Sequence, residues 1–389
     1  MRSRERLLRA LDGETPDRVP VTLFIQDEGH FLKQMHPELN IMHYQENKKL
    51  NIDLQRELGV DIHLRMFNGC IPLWLQTGGL NTDRSTDQWQ VELEKRRDNG
   101  SILLEAQIRT PDGELSQEFS ISRVNEGTYH YACTRKPIQS MHDLELVKAY
   151  EPSVTEEYEQ HIHQLVQNTR DYLGDDGIIS LWAPGGAFNH ASRLVNIEEL
   201  YMLYLVDPEF YQELMRFCIE RTHPWLEVML STDIDVLNIG GNVAGGFLGR
   251  ENFERYIMGY EQEFIANLKA TGKKINYHNC GSIMELLDSY KKLGMDIVEP
   301  VAPPPLGDGD LEEAVRIANG AYTLIGNIDQ VNVIQKGTPG QIHKKVKEAL
   351  AIGRDYPGFI LQPADFLEYG TPRENVEAYV EAGLQQSSL

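Results

Sequence analysis

His278-Asn279-Cys280 carries the densest chemical potential of this 389-residue chain. The tripeptide ends a short run, Ile275-Asn276-Tyr277, and Gly281-Ser282 and a helical pattern follow it. Strand side chains alternate between two faces, so His278 and Cys280 share one of them. Imidazole and thiolate are ligands that zinc favours, and together they make half a site. Asp365 is the expected third donor, because it closes the last strand-like run, at residues 359–365, and a barrel would bring it to the same rim. Glu299, at the end of residues 296–299, reads as a fourth ligand or as a partner standing behind the ligands. The same spacing also suits a buried thiol beside a hydrogen-bonded histidine with no metal at all.

Three further clusters could contribute to a pocket. Asp61, His63 and Arg65 alternate along one strand-like run, and three ionisable groups on one face point to a polar cavity rather than a packed core. Asn327 and Asp329 stand two apart in Gly326-Asn327-Ile328-Asp329, aimed together into a mouth, although Asp329 reads equally well as a cap on the turn that follows. Glycine-rich turns follow two strand-like runs. One, at residues 239–246, contains Asn242; the other, Pro184-Gly185-Gly186, leads to Asn189 and His190. Glycines there let the backbone approach a ligand, and tight turns need them without any ligand.

The elements that must position these residues alternate regularly. Strand-like runs at 19–24, 59–66, 177–183, 235–240, 274–280, 296–301, 321–329 and 358–365 lead into helical patterns. Such alternation predicts an α/β protein with a parallel sheet, and eight units predict a closed (β/α)8 TIM barrel forming a single domain over residues 1–389. No G-x-G-x-x-G follows the first strand, which removes the usual support for a dinucleotide fold. Asp207-Pro208, Thr338-Pro339 and Thr371-Pro372 look like helix caps followed by a first-turn proline. Residues 88–131 break the pattern, with turn signals at Asp98-Asn99-Gly100 and Pro111-Asp112-Gly113. They predict an antiparallel β-hairpin insertion between barrel units 2 and 3.

Composition narrows the partners. The chain holds 59 acidic and 37 basic residues, a net charge of −22, which disfavours nucleic acid and anionic membrane surfaces. No apolar run approaches the roughly 18 residues of a membrane span, and no apolar segment of a signal peptide follows the basic N-terminus; a cytoplasmic protein is expected. The cysteines, at 70, 133, 218 and 280, are too scattered to suggest a disulfide framework.

The order of motifs resembles the uroporphyrinogen decarboxylase superfamily, which includes the cobalamin-dependent methyltransferases. Arg4-Glu5-Arg6 with Pro16-Asp17-Arg18-Val19-Pro20 is similar to the family's N-terminus, and His278-Asn279-Cys280-Gly281 to the H-x-C-G zinc motif of its methyltransferase branch. Gly326-Asn327-Ile328-Asp329 resembles its G-N-[IL]-D stretch, and Thr371-Pro372 with Glu374-Asn375 its closing T-P-x-E-N. The decarboxylases carry an arginine-rich segment after the first strand to clamp substrate carboxylates. Residues 24–30 here contain no arginine and two acids, and Leu64-Arg65-Met66 stands where the decarboxylases have F-S-D. The methyltransferase branch uses a second cysteine where this chain has Asp365.

The resemblance implies a zinc-dependent corrinoid methyltransferase, with His278, Cys280 and Asp365 holding the ion and Asn242 in the wall of the mouth. It would move a methyl group between a small methylated compound, such as an aromatic methyl ether, and a corrinoid carried on a small partner protein. A homodimer is a family-level expectation. A decarboxylase using Asp61 or Asp365 as its acid is the alternative, and a barrel that binds a tetrapyrrole or corrinoid without catalysis is another.

Overall fold

Seven short strands form one curled parallel sheet in the computed structural model, which describes residues 1–67, 69–241 and 248–386. They are β1 (Ile62–Met66), β6 (Gly177–Trp182), β7 (Val236–Gly240), β8 (Lys274–His278), β9 (Ile297–Val301), β10 (Thr323–Ile328) and β11 (Phe359–Pro363), hydrogen-bonded in that order. Most of their residues are buried, as expected of parallel strands covered by helices on the outside. The eighth expected strand, at residues 19–24, makes only one parallel bridge, Val21 to Leu361. It nevertheless joins the two edges: Thr22 N donates to Leu361 O (2.9 Å), and Asp61 N donates to Val21 O (2.8 Å).

Alternation along the strands sorts the sheet's interior into layers. At the N-terminal end, Ile178, Val236, Ile297, Ile325 and Ile360 pack against Leu7, Ala10 and Leu11 of the first helix, Ser3–Leu11. That amphipathic helix closes the floor. Two residues further along come Ser180, Asn238, Glu299 and Gln362, a polar middle layer. Trp182 and His278 stand at the C-terminal rim.

The insertion between β1 and β6 is larger than a hairpin. It is a four-stranded antiparallel sheet, β2 (Gln90–Asp98), β3 (Ser101–Thr110), β4 (Gly113–Arg123) and β5 (Tyr129–Arg135). The two turn signals fall at the β2–β3 and β3–β4 turns, and a third turn adds β5 beyond the expected end at residue 131. That third turn is fastened to segments near the C-terminal rim of the parallel sheet. His30 N donates to Gly127 O (2.9 Å), and Tyr369 Oη donates to Glu126 (3.1 Å). Gly29 permits the approach, since a Cβ there would meet Gly127 O at 2.3 Å.

Helix caps fall largely where expected. Asp207 accepts from Phe210 N (3.1 Å), and Thr338 forms a capping box with Gln341. The last helix begins one residue later than expected: Pro372, not Thr371, is its N-cap, and no side chain caps it. No helix among the described residues is long and apolar enough to cross a membrane.

Candidate metal centre

His278 is the final residue of β8, Cys280 lies two residues on, and Asp365 lies two residues past the end of β11. One donor atom from each falls within 4.8 Å of the other two. That spread is close to twice a zinc–ligand bond of about 2.0–2.3 Å. His278 is 4% exposed, and its buried Nδ1 has no hydrogen-bond partner. That nitrogen faces Glu299 Oε2 at 3.8 Å. Asp365 Oδ1 accepts from Phe366 N (2.8 Å), which fixes the carboxylate's direction. The imidazole, thiol and carboxylate donor set fits a zinc ion.

The three donors and Glu299 also perturb one another's ionisation. Burial alone would lower the His278 pKa, but the adjoining Cys280 and Glu299 outweigh it and raise the value to about 10. Burial raises the Asp365 carboxyl, with His278 pulling it back. Trp182 and Phe24 meet the imidazole edge-on, with ring centroids 5.0 and 6.3 Å away, so the ring cannot swing freely.

Glu299 stands behind the donors rather than among them. Its carboxylate receives Arg65 Nη1 (2.8 Å) and Nη2 (2.6 Å), Gln362 Nε2 (2.7 Å) and the Asn276 amide. Its Oε2 is 3.8 Å from His278 Nδ1. Arg65 and His278 keep this buried acid ionised, well below the usual carboxylate range, despite the burial that opposes it. Arg65 also donates to Gln362 Oε1 (2.8 Å) and lies 3.2 Å from His63 Nδ1. His63 continues to Ser180 (3.0 Å), and Asn238 donates to the same hydroxyl (2.9 Å). Burial and Arg65 hold His63 neutral. This network is the polar layer beneath the rim.

The remaining expected site residues scatter. Asp61 precedes β1 and so lies at the floor, the opposite end from His278. There it is bound by Arg6 (2.6 Å), Arg18 (2.7 Å) and Ser3 (2.9 Å), which removes it from the mouth. His190 is fully buried against Arg221 (3.0 Å) and is held neutral by burial and that charge, a packing arrangement. Asn189, in the same helix, is buried with Oδ1 unsatisfied beside Gly185 and Gly240. Asp329 caps its turn, accepting from Val331 N (2.8 Å), Asn332 N (2.7 Å) and Asn332 Nδ2 (2.8 Å). Asn327 sits half-buried in β10 opposite Gln362. Asn242 lies outside the described residues.

Sequence reasoning missed Ser180, Asn238, Asn276 and Gln362. Their signal was available: Asn276 stands two residues before His278 on the same strand face, and Gln362 is a polar residue inside an apolar strand. Cavities of about 950 and about 700 Å3 open beside the antiparallel sheet, with Glu28, Tyr129 and Tyr131 lining both; none of the three donors lines either.

The sequence profile of the family described as uroporphyrinogen decarboxylase (URO-D) matches residues 122–385. The chain belongs to that family. It is 24% identical over 264 residues to a uroporphyrinogen decarboxylase of Carboxydothermus hydrogenoformans, covering 65% of this chain and 70% of that one. It is 22% identical over 248 residues to the methylcobamide:CoM methyltransferase MtbA of Methanosarcina acetivorans, covering 63% and 68%. A methylated-thiol–coenzyme M methyltransferase of Methanosarcina mazei is 29% identical over 105 residues, and the match spans only 26% of that relative's length. A solved methyltransferase from Methanosarcina mazei shares the fold, with a TM-score of 0.68, 19% identity and 98% of each chain covered.

Proposed function

We propose that this chain is a zinc-dependent methyltransferase that moves a methyl group between a small methylated compound and a corrinoid carried on a partner protein. The observation that carries the reading is the convergence of His278, Cys280 and Asp365 at one strand-end rim. Relatives named as methyltransferases support it. On this reading residues 19–24 complete a closed (β/α)8 barrel, and the rim faces the partner.

His278, Cys280 and Asp365 would hold the ion. Zinc bound there supplies Lewis acidity to the substrate heteroatom that bears the methyl group. Glu299, pinned by Arg65, Gln362 and Asn276, fixes the orientation of the imidazole from behind. Trp182 and Phe24 keep the far side of that ring dry.

Similarity to a uroporphyrinogen decarboxylase keeps a decarboxylase as the second reading. Two observations weigh against it: residues 24–30 offer no arginine to a polycarboxylate, and Asp61, one of the two acids expected for it, is bound at the floor. Zinc-loaded protein mixed with a methoxyaromatic compound and cob(I)alamin tests the proposal through the methylcobalamin absorbance. Methylation that disappears in Cys280→Ser is expected. Metal-free protein that decarboxylates uroporphyrinogen would reverse the ranking.

A further inference from the structure

Arg193 lines the cavity of about 700 Å3 beside the antiparallel sheet, and only one of its three guanidinium nitrogens is engaged among the described residues. Its Nη1 donates to Gln76 O and Pro184 O, both at 2.8 Å. Among the described residues, Nε and Nη2 have no protein acceptor and no carboxylate pairs with Arg193. Arg221 offers the contrast, since it grips Glu151 through Nε and Nη2, both at 2.7 Å. Burial pulls the Arg193 pKa down to about 10, with no neighbouring acid to restore it. A second cation adjoins it: Lys136 Nζ donates to Arg193 O (3.2 Å), and burial together with Arg193 lowers its pKa as well.

In a chain of net charge −22, an unpaired guanidinium on a cavity wall is out of keeping with its surroundings. The stem is also deliberately seated: Gly78 leaves space for it, since a Cβ there would meet Arg193 Cβ at 1.9 Å. The unused Nε–Nη2 edge is the fork that grips a carboxylate or sulfonate through two parallel hydrogen bonds. Glu28 and Asp83 line the same cavity, and burial raises both of their pKa values, Glu28 to about 7, which weakens their repulsion of an anion. The cavity reaches towards the metal centre through one ring. Phe67, on its wall, lies 5.7 Å from Trp182, and Trp182 lies 5.0 Å from His278.

We propose that Arg193 anchors the oxyanion, carboxylate or sulfonate, of the small methyl-bearing substrate. The assignment deepens the methyl-transfer reading and rests on it for the identity of the ligand. Calorimetric titration with 4-methoxybenzoate and with neutral methoxybenzene tests it. The unmodified protein is expected to bind the anion at least about tenfold more tightly than the neutral compound. Arg193→Met should erase that preference, while Arg193→Lys keeps the charge without the fork and retains part of it. Equal binding of the two compounds by unmodified protein would overturn the proposal without recourse to any variant. So would undiminished anion binding by a folded Arg193→Met protein.

Cys280→Ser separates this claim from the metal reading. Anion preference that survives loss of zinc supports Arg193, whereas preference lost with the zinc places the anion on the metal and overturns it. Cobalamin, whose phosphodiester is the other source of an oxyanion, is titrated alongside. If Arg193→Met weakens binding of cobalamin but not of methoxybenzoate, the small-substrate assignment fails.

Discussion

Charged side chains gather at both ends of the parallel sheet, and the two clusters are completed to different degrees. At the floor, Asp61 is bound by Arg6, Arg18, Ser3 and the Val21 amide, which leaves it no capacity for another ligand. At the rim, His278, Cys280 and Asp365 bring one donor atom each within 4.8 Å of one another. Burial of charge is common to both ends; the mixture of nitrogen, sulfur and oxygen donors distinguishes the rim. Ion pairs that saturate each other hold a fold together, whereas such a convergent donor set suits a metal ion.

Substitutions at the two ends should therefore separate metal binding from stability. His278→Ala or Cys280→Ser should reduce zinc from about one ion per chain to near none, measured by elemental analysis, because each removes one of only three protein donors. Asp61→Ala should do the reverse. Unfolding in urea should show a loss of about 3–5 kcal/mol, because two arginines lose a buried counter-charge, while zinc content stays unchanged. If Asp61→Ala also stripped the metal, the division between the ends would fail.

Glu299→Gln sharpens the comparison from the middle layer. It should weaken zinc affinity about 10- to 100-fold in a chelator competition, as loss of a partner behind a histidine ligand does. Asp329→Ala, a cap lost beyond the donor set, should cost only about 1 kcal/mol and leave affinity for zinc alone.

The smallest effect is a pH dependence at the floor. Arg6 holds the Asp17 carboxyl well below its ordinary value of 3.8. A depressed carboxyl stabilises the fold above its ordinary value, and that contribution is lost as pH falls through the lower, folded value. Asp17→Asn should therefore flatten the acid side of the stability profile, with little change near neutrality.

Much of the fold could be read from the chain because its signals are local. Each strand is a short apolar run followed by a helix start, and Asp207-Pro208 and Thr338-Pro339 mark their helices with cap chemistry. Residues 19–24 were harder, since a single bridge at Val21 leaves little difference between a strand and an extended loop. His278 and Cys280 could be paired from two-residue spacing alone. Asp365 needed the curl of the sheet, because it stands 85 positions beyond Cys280. Asp61 misled for the same reason that His63 and Arg65 informed. Alternation gives the face of a strand but not the height along it, and Asp61 sits one layer below His63 and two below Arg65. Arg193 gave no signal in the sequence, because an arginine is notable only once its missing carboxylate can be seen.

Zinc K-edge X-ray absorption on protein produced with added zinc tests the central claim most directly. The account predicts about one ion per chain, with one sulfur at about 2.3 Å and nitrogen and oxygen neighbours at about 2.0–2.2 Å. A metal-free protein, or a bound ion with no sulfur in its shell, would contradict it.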